Sequence, residues 1–110
     1  MKLKYQVTDK NGNVHKRVSS SGRVYTHAIV RHWDAYTYEL GWKPANAERA
    51  AEMIGGHDDL RYDATKGDIV RDVAAGSAAT WAGRPDLAQK EAATARKRWH
   101  VSDVEIIPVN

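Results

Sequence analysis

Asn11-Gly12 sits between two short stretches in which apolar and polar residues alternate, and this combination commits the start of the chain to a β-hairpin. Leu3, Tyr5 and Val7 alternate with Lys2, Lys4, Gln6 and Thr8. That period of two gives a strand one apolar and one polar face. Asn-Gly tolerates the positive φ that both central positions of a tight hairpin turn demand. The stretch 14–19 is then the returning strand, with Val14 and Val18 on one side. Ser19-Ser20-Ser21-Gly22 makes a second turn, and 23–31 reads as a third strand. Its Tyr25, His27 and Ile29 stand against Val24, Thr26, Ala28 and Val30, nearly all apolar or β-branched. Such a stretch suits a central strand covered on one face. Together the three strands form an antiparallel meander.

Residues 32–43 fit two patterns. Tyr36, Tyr38, Leu40 and Trp42 alternate as in a strand, while Ile29, Trp33, Tyr36 and Leu40 also fit a helical stripe. The dominance of aromatics, with Gly41 and Pro44 close behind, favours strand or irregular chain. Beyond this point the patterning turns helical. Pro44 suits a first turn, Ala47, Ala50, Ala51 and Ile54 form an apolar stripe, and Gly55-Gly56 supplies a left-handed cap. Residues 57–64 read as a polar loop. Thr65 and Asp68 stand at capping-box spacing before a second helical face of Ile69, Val70, Val73, Ala74 and Ser77. Gly83 interrupts, and Pro85-Asp86 opens a third helix with Ala88, Ala92, Ala95 and Trp99 on its buried side. Residues 101–109 close the chain as a strand, with Pro108 favouring an edge or terminal position.

The expected fold is α+β: an N-terminal antiparallel β-meander followed by two to three helices and a C-terminal strand, in a single domain spanning 1–110. The chain has no Phe, 19 residues of Leu, Ile and Val, and 16 Ala, so its core leans on alanine and on a few large aromatics. Trp33, Trp81 and Trp99 are expected in the core or at its rim, and Trp42 is expected to be the most exposed tryptophan.

The composition also removes several classes of function. Zero Cys excludes disulfides, zinc ribbons, iron–sulfur clusters and thiol catalysis. No apolar run approaches the roughly 18 residues of a membrane span. The start MKLKYQV has no apolar core of a secretory signal, so a cytoplasmic location is expected. No Walker-type loop is present, and Ser19-Ser20-Ser21 lacks a nucleophile-elbow context. His57, Asp58 and Asp59 form a loop cluster able to bind a divalent cation weakly, but no histidine pair has the spacing of a specific metal site. The expectation is a non-enzyme without cofactor or metal.

Charge points instead to binding. The net charge is +3, but residues 1–32 carry +6, residues 33–83 carry −4 and residues 84–110 carry +1. Such asymmetry suits an anionic or bipolar partner. Lys2, Lys4, Lys10, Lys16, Arg17 and Arg23 are candidates for one basic strand face that takes nucleic acid, joined by Arg96, Lys97 and Arg98 beside Trp99. The aromatic motifs of an RRM and the GXXG loop of KH are both missing. Protein contact fits at least as well, with Tyr36, Tyr38, Trp42, Arg61 and Tyr62 as candidate anchors, since aromatics and arginine dominate interface energetics.

The stretch Arg23-Val24-Tyr25-Thr26-His27-Ala28-Ile29-Val30, with Trp81-Ala82-Gly83-Arg84-Pro85-Asp86-Leu87-Ala88 and the closing hydrophobic strand, resembles small accessory proteins of phages and mobile elements. The resemblance implies a setting of the anti-CRISPR kind, in which a small protein inhibits a host defence complex by contact. The partner it implies is a host protein or ribonucleoprotein. Mimicry of DNA requires a strongly acidic surface, which a charge of +3 does not supply.

Overall fold

The computed structural model describes residues 2–109, in eight strands and two helices. The antiparallel N-terminal strands and the C-terminal strand are present, and the ambiguous stretch 32–43 divides between the end of one strand at Trp33 and another over Tyr36–Trp42. The expectation of two to three helices after them is corrected: strands dominate the chain. The elements in order are β1 (Leu3–Thr8), β2 (Val14–Ser19), β3 (His27–Trp33), β4 (Tyr36–Trp42), α1 (Ala47–Ile54), β5 (Leu60–Asp63), β6 (Asp68–Val73), β7 (Gly76–Ala82), α2 (Pro85–Arg96) and β8 (Val101–Pro108). They fall into two compact units, one of residues 1–34 with 76–110 and one of residues 35–75.

The larger unit is built on the sheet β7-β3-β8, antiparallel throughout. The register puts His27, Ile29 and Arg31 on one face with Ala82, Thr80 and Ala78 of β7 and with Pro108, Ile106 and Val104 of β8. Helix α2 packs on that face. Its Ala88, Ala92 and Ala95 lie against Ile29, Ala82 and Val104, with Leu87, Val101 and Ile106 around them. Alanine at these positions lets the helix backbone approach the sheet closely, so Ile29 supplies most of the volume at the centre. Pro85 occupies the first turn, where its missing N–H is not needed. The other face carries Ala28, Val30 and His32 beside Trp81, Ala79 and Ser77. The hairpin β1-β2 lies toward this second face, as the Tyr5–Trp81 ring contact and the Ser77–Asp9 hydrogen bond record.

The smaller unit holds the sheet β4-β6-β5 and α1. Residues 60–63, expected as loop, and 68–73, expected as helix, form its hairpin β5-β6. The reason is the turn between them. Asp63 Oδ1 accepts hydrogen bonds from the Thr65 and Lys66 N–H groups at 3.1 and 3.3 Å. Gly67 N–H bonds the Asp63 carbonyl at 2.7 Å, with Gly67 at φ +74°. Asp63 therefore closes a hairpin turn across the residues that resemble a capping box, and β-branched Ile69, Val70 and Val73 favour the extended chain. Residues 76–82 are likewise strand, despite Ala78 and Ala79, because all seven pair with β3. Tertiary pairing outweighs alanine's helix propensity of under about 1 kcal/mol per residue.

Helix α1 begins at Ala47 rather than at Pro44. Asn46 is its N-cap, accepting the Arg49 N–H at 2.9 Å, and Gly55 closes it in the left-handed conformation at φ +55°. Only Ala50 of its alanines is buried, whereas Ala47 and Ala51 are exposed. An eight-residue helix is marginal by itself, so its cap carries weight. Asn46→Ala is expected to destabilise this unit by about 1 kcal/mol, read as an earlier loss of amide protection over 47–54 in hydrogen exchange. Protection unchanged within error would show that the cap contributes nothing.

Candidate functional site

The hairpin turn is held to the central sheet by a buried polar cluster. The Asp9 side chain is shut off from solvent. Its Oδ1 accepts the N–H groups of Asn11 and Asn13 at 2.9 and 3.0 Å, and its Oδ2 accepts from His15 Nε2 at 2.8 Å and Ser77 Oγ at 3.2 Å. Burial alone would raise the Asp9 carboxyl. The hydrogen bonds from His15, Asn13 and Asn11 outweigh it and hold the group well below the usual carboxylate range. Beside it, buried His32 lies 3.3 Å from Glu105 Oε2 through Nε2 and 3.4 Å from Asn11 Nδ2 through Nδ1. Glu105 also accepts the Lys10 N–H at 2.9 Å, and the Lys10 ammonium pairs with Asp103.

Asp9, His15 and Ser77 do not form a nucleophilic triad. His15 meets both the carboxylate and the hydroxyl through the same Nε2. A relay needs the carboxylate on one ring nitrogen and the hydroxyl on the other. The cluster is an anchor. Among the described residues no group of three or more His, Asp or Glu is placed to hold a metal ion, and His57, Asp58 and Asp59 lie in and beside the turn before β5.

The anchored hairpin sets up a second arrangement, of arginines on aromatic rings. Tyr5 of β1 accepts the Tyr25 N–H with its hydroxyl at 3.2 Å and donates to the Arg23 carbonyl at 3.3 Å, which fixes the loop after β2. Tyr5, Tyr25 and Trp81 pack together with ring centroids 5.4–6.3 Å apart. The guanidinium carbons of Arg17 and Arg23 lie 5.8 and 5.6 Å from the Tyr25 ring centre. Both distances are within cation–π reach. A shallow cavity opens here between Arg17, Arg23, Tyr25, Ala79, Thr80 and Trp81.

Ion pairing divides the arginines. In the smaller unit Arg49, Arg61 and Arg71 pair with Glu52, Asp72 and Asp59. In the larger unit only Arg84 has a carboxylate within reach, Asp86, while Arg17, Arg23, Arg31, Arg96 and Arg98 pair with none among the described residues. That unit carries twelve Lys and Arg against six Asp and Glu.

The residues singled out from the sequence divide accordingly. Lys4 and Lys16 share one exposed face of the hairpin, but Arg17 pairs opposite Tyr5 on the other, so the supposed single basic face is two. Lys2 is exposed near the N-terminus, and Lys10 is committed to Asp103. Arg96 ends α2, with Lys97 and Arg98 in the turn after it. In the smaller unit the register brings Tyr36, Tyr38, Trp42 and Tyr62 to one sheet face and leaves Arg61 on the other. Tyr36 and Tyr38 stack at 6.1 Å, and Arg71 Nη1 donates to the Tyr38 hydroxyl at 3.0 Å, a bond that raises the Arg71 guanidinium further above its ordinary range. On the opposite face, hydrogen bonds from Thr37 and then Arg61 lower the Asp72 carboxyl. Trp42 is 41 % exposed, yet Trp99, read as packing, is the most open tryptophan at 72 %. It misses the helix face because α2 ends at Arg96.

Sequence reasoning passed over Arg31 and Thr80. The signal lay in register: both fall on the α2 face of adjacent strands, and Arg31 Nη1 donates to Thr80 Oγ1 at 3.4 Å. Comparison with protein-family models, curated proteins and solved structures finds no match to this chain. No helix among the described residues is long and apolar enough to cross a membrane.

Proposed function

We propose that the chain is a non-catalytic binding protein that takes an acidic protein surface on the Arg17–Arg23 face of its larger unit. The observation that carries this reading is the pair of guanidinium groups held on one buried tyrosine, neither of them ion-paired among the described residues. A guanidinium presents a rigid fork of donors suited to carboxylates, and stacking on Tyr25 lowers the entropy lost when it binds. Tyr25 itself is 8 % exposed, so it positions the arginines rather than offering a platform for a base. In the setting implied by the resemblance to phage and mobile-element accessory proteins, such contact would block a host complex. Trp42 is a further contact candidate in the smaller unit.

A second reading rests on Trp99. An indole 72 % exposed beside Arg96, Lys97 and Arg98 suits stacking on a base of single-stranded nucleic acid. Affinity capture with the wild-type chain, with Arg17→Glu/Arg23→Glu and with Trp99→Ala separates the two, alongside fluorescence anisotropy on labelled oligonucleotides between about 50 and 200 mM salt. The protein reading expects the double arginine variant to keep its circular dichroism and lose its captured partner. Micromolar oligonucleotide binding that falls steeply with salt and vanishes in Trp99→Ala would replace it with the nucleic-acid reading.

A further inference from the structure

The two edges of the sheet β7-β3-β8 are unlike each other. On β8, Asp103 and Glu105 bring charge, Pro108 removes a donor, and the register with β3 shifts between His32 and Trp33. These are the devices that keep an edge from pairing with another chain. β7 has none of them. Its sequence Gly-Ser-Ala-Ala-Thr-Trp-Ala carries no charge and no proline, and it pairs with β3 over seven residues without a shift. Among the described residues β7 pairs on one side only, and Gly76 to Trp81 are all partly open to solvent.

Basic groups flank this edge on both sides. The cavity toward the hairpin is bordered by Arg17, Arg23 and Trp81 with Ala79 and Thr80 of β7. The cavity toward α2 is bordered by Arg31 and Arg98, again with Thr80, and by Glu91. One carboxylate offsets the positive charge on the helix side, and none lies among the residues bordering the hairpin side.

We propose that the open edge of β7 receives an extended acidic segment of the partner by strand addition, its main chain pairing with residues 76–82 and its acidic side chains reaching Arg17 and Arg23. This rests on the protein-binding reading above and names its mode. Side chains of an added strand alternate between faces, so acidic residues two apart would all face the hairpin side. Main-chain pairing supplies affinity in such complexes, and the alternate side chains supply specificity.

The test uses the whole chain and an eight-residue peptide alternating Glu and Thr with blocked ends. Three companions serve as controls: the same peptide N-methylated at every second residue, a Lys–Thr peptide, and an oligonucleotide of equal charge. Anisotropy gives affinity, and hydrogen exchange locates protection. The proposal expects the Glu–Thr peptide to bind and to slow exchange across 76–82. It expects Arg17→Glu/Arg23→Glu to weaken binding at least tenfold, N-methylation to do the same, and the Lys–Thr peptide not to bind. If the acidic peptide binds through the arginines but is indifferent to N-methylation and leaves 76–82 unprotected, strand addition is wrong and the protein-binding reading stands. If the oligonucleotide binds and the peptide does not, both fall. Protection of 76–82 that grows with protein concentration alone would give the edge to a second copy of this chain and overturn the proposal.

Discussion

Ile29→Ala is expected to destabilise the larger unit by about 3–4 kcal/mol. Ile29 is 2 % exposed and sits where α2 crosses the sheet. Its neighbours decide the magnitude. Ala82, Ala88, Ala92 and Ala95 have no side-chain length with which to move into a cavity. On the helix side the void left by the lost carbons would stay open unless the backbone shifted, and only Val104 and Ile106 of β8, with Leu87 and Val101, have side chains able to reach part of it. Sites that cannot collapse lie toward the upper part of the range for large-to-small substitutions. Against a total stability of about 5–15 kcal/mol for a natural domain, this is a large fraction. Ile29→Val removes one carbon and is expected to cost about 1 kcal/mol. Urea titration should move the midpoint of Ile29→Ala about three times as far as that of Ile29→Val, with equal slopes. Equal midpoints would mean that the alanine-lined interface does close.

Asp9→Ala is expected to lower the melting temperature more than any exposed carboxylate substitution, with Glu52→Ala as the comparison. Four donors converge on this one buried side chain, from Asn11, Asn13, His15 and Ser77. Its removal leaves them without an acceptor beneath a hairpin that excludes water. The effect carries a pH signature. The carboxyl of folded Asp9 is held below the ordinary value of roughly 3.9. The unfolded chain therefore takes up the proton first as the pH falls. Asp9's contribution is complete above that ordinary value and is lost progressively below it. The gap in melting temperature between wild type and Asp9→Asn should narrow from about pH 4 downward, below the range in which a histidine, here the neighbouring His15, changes charge. A gap that widens below about pH 4 would show that the folded carboxyl is not stabilised in its charged form.

Both predictions turn on residues whose roles emerge at different levels. Asp9 was legible in part: an Asp before Asn-Gly is a turn residue by chemistry, and the hairpin around it is present. The four donors were not, because Ser77 comes from a strand 68 residues away. Arg17 and Arg23 were legible as basic but not as a pair on Tyr25, since that depends on Tyr5 fixing the loop between them. The candidate anchors Tyr36 and Tyr38 were legible as a face. That the pair stack on each other and that Tyr38 takes a bond from Arg71 follows from the register of β4 with β6.

Local chemistry by itself determined the hairpin of β1 and β2, although only Gly12 takes the positive φ expected of both Asn11 and Gly12, and the turn spans residues 9–13. It also determined the cap at Gly55, the start of α2 at Pro85, its buried alanine stripe and the closing strand. In each of these, a short-range signal agrees with its surroundings. Only the tertiary structure decided residues 60–82. Ile69, Val70 and Val73 suit a helical stripe as well as a strand, and Ala78 and Ala79 favour helix. Propensities of this size are outweighed by a strand partner. For β7 that partner is β3, far back in the chain and outside any window in which periodicity is read. For β6 the Asp63–Gly67 turn is local, but its residues resemble a capping box as well, and pairing with β4 and β5 decides between the two.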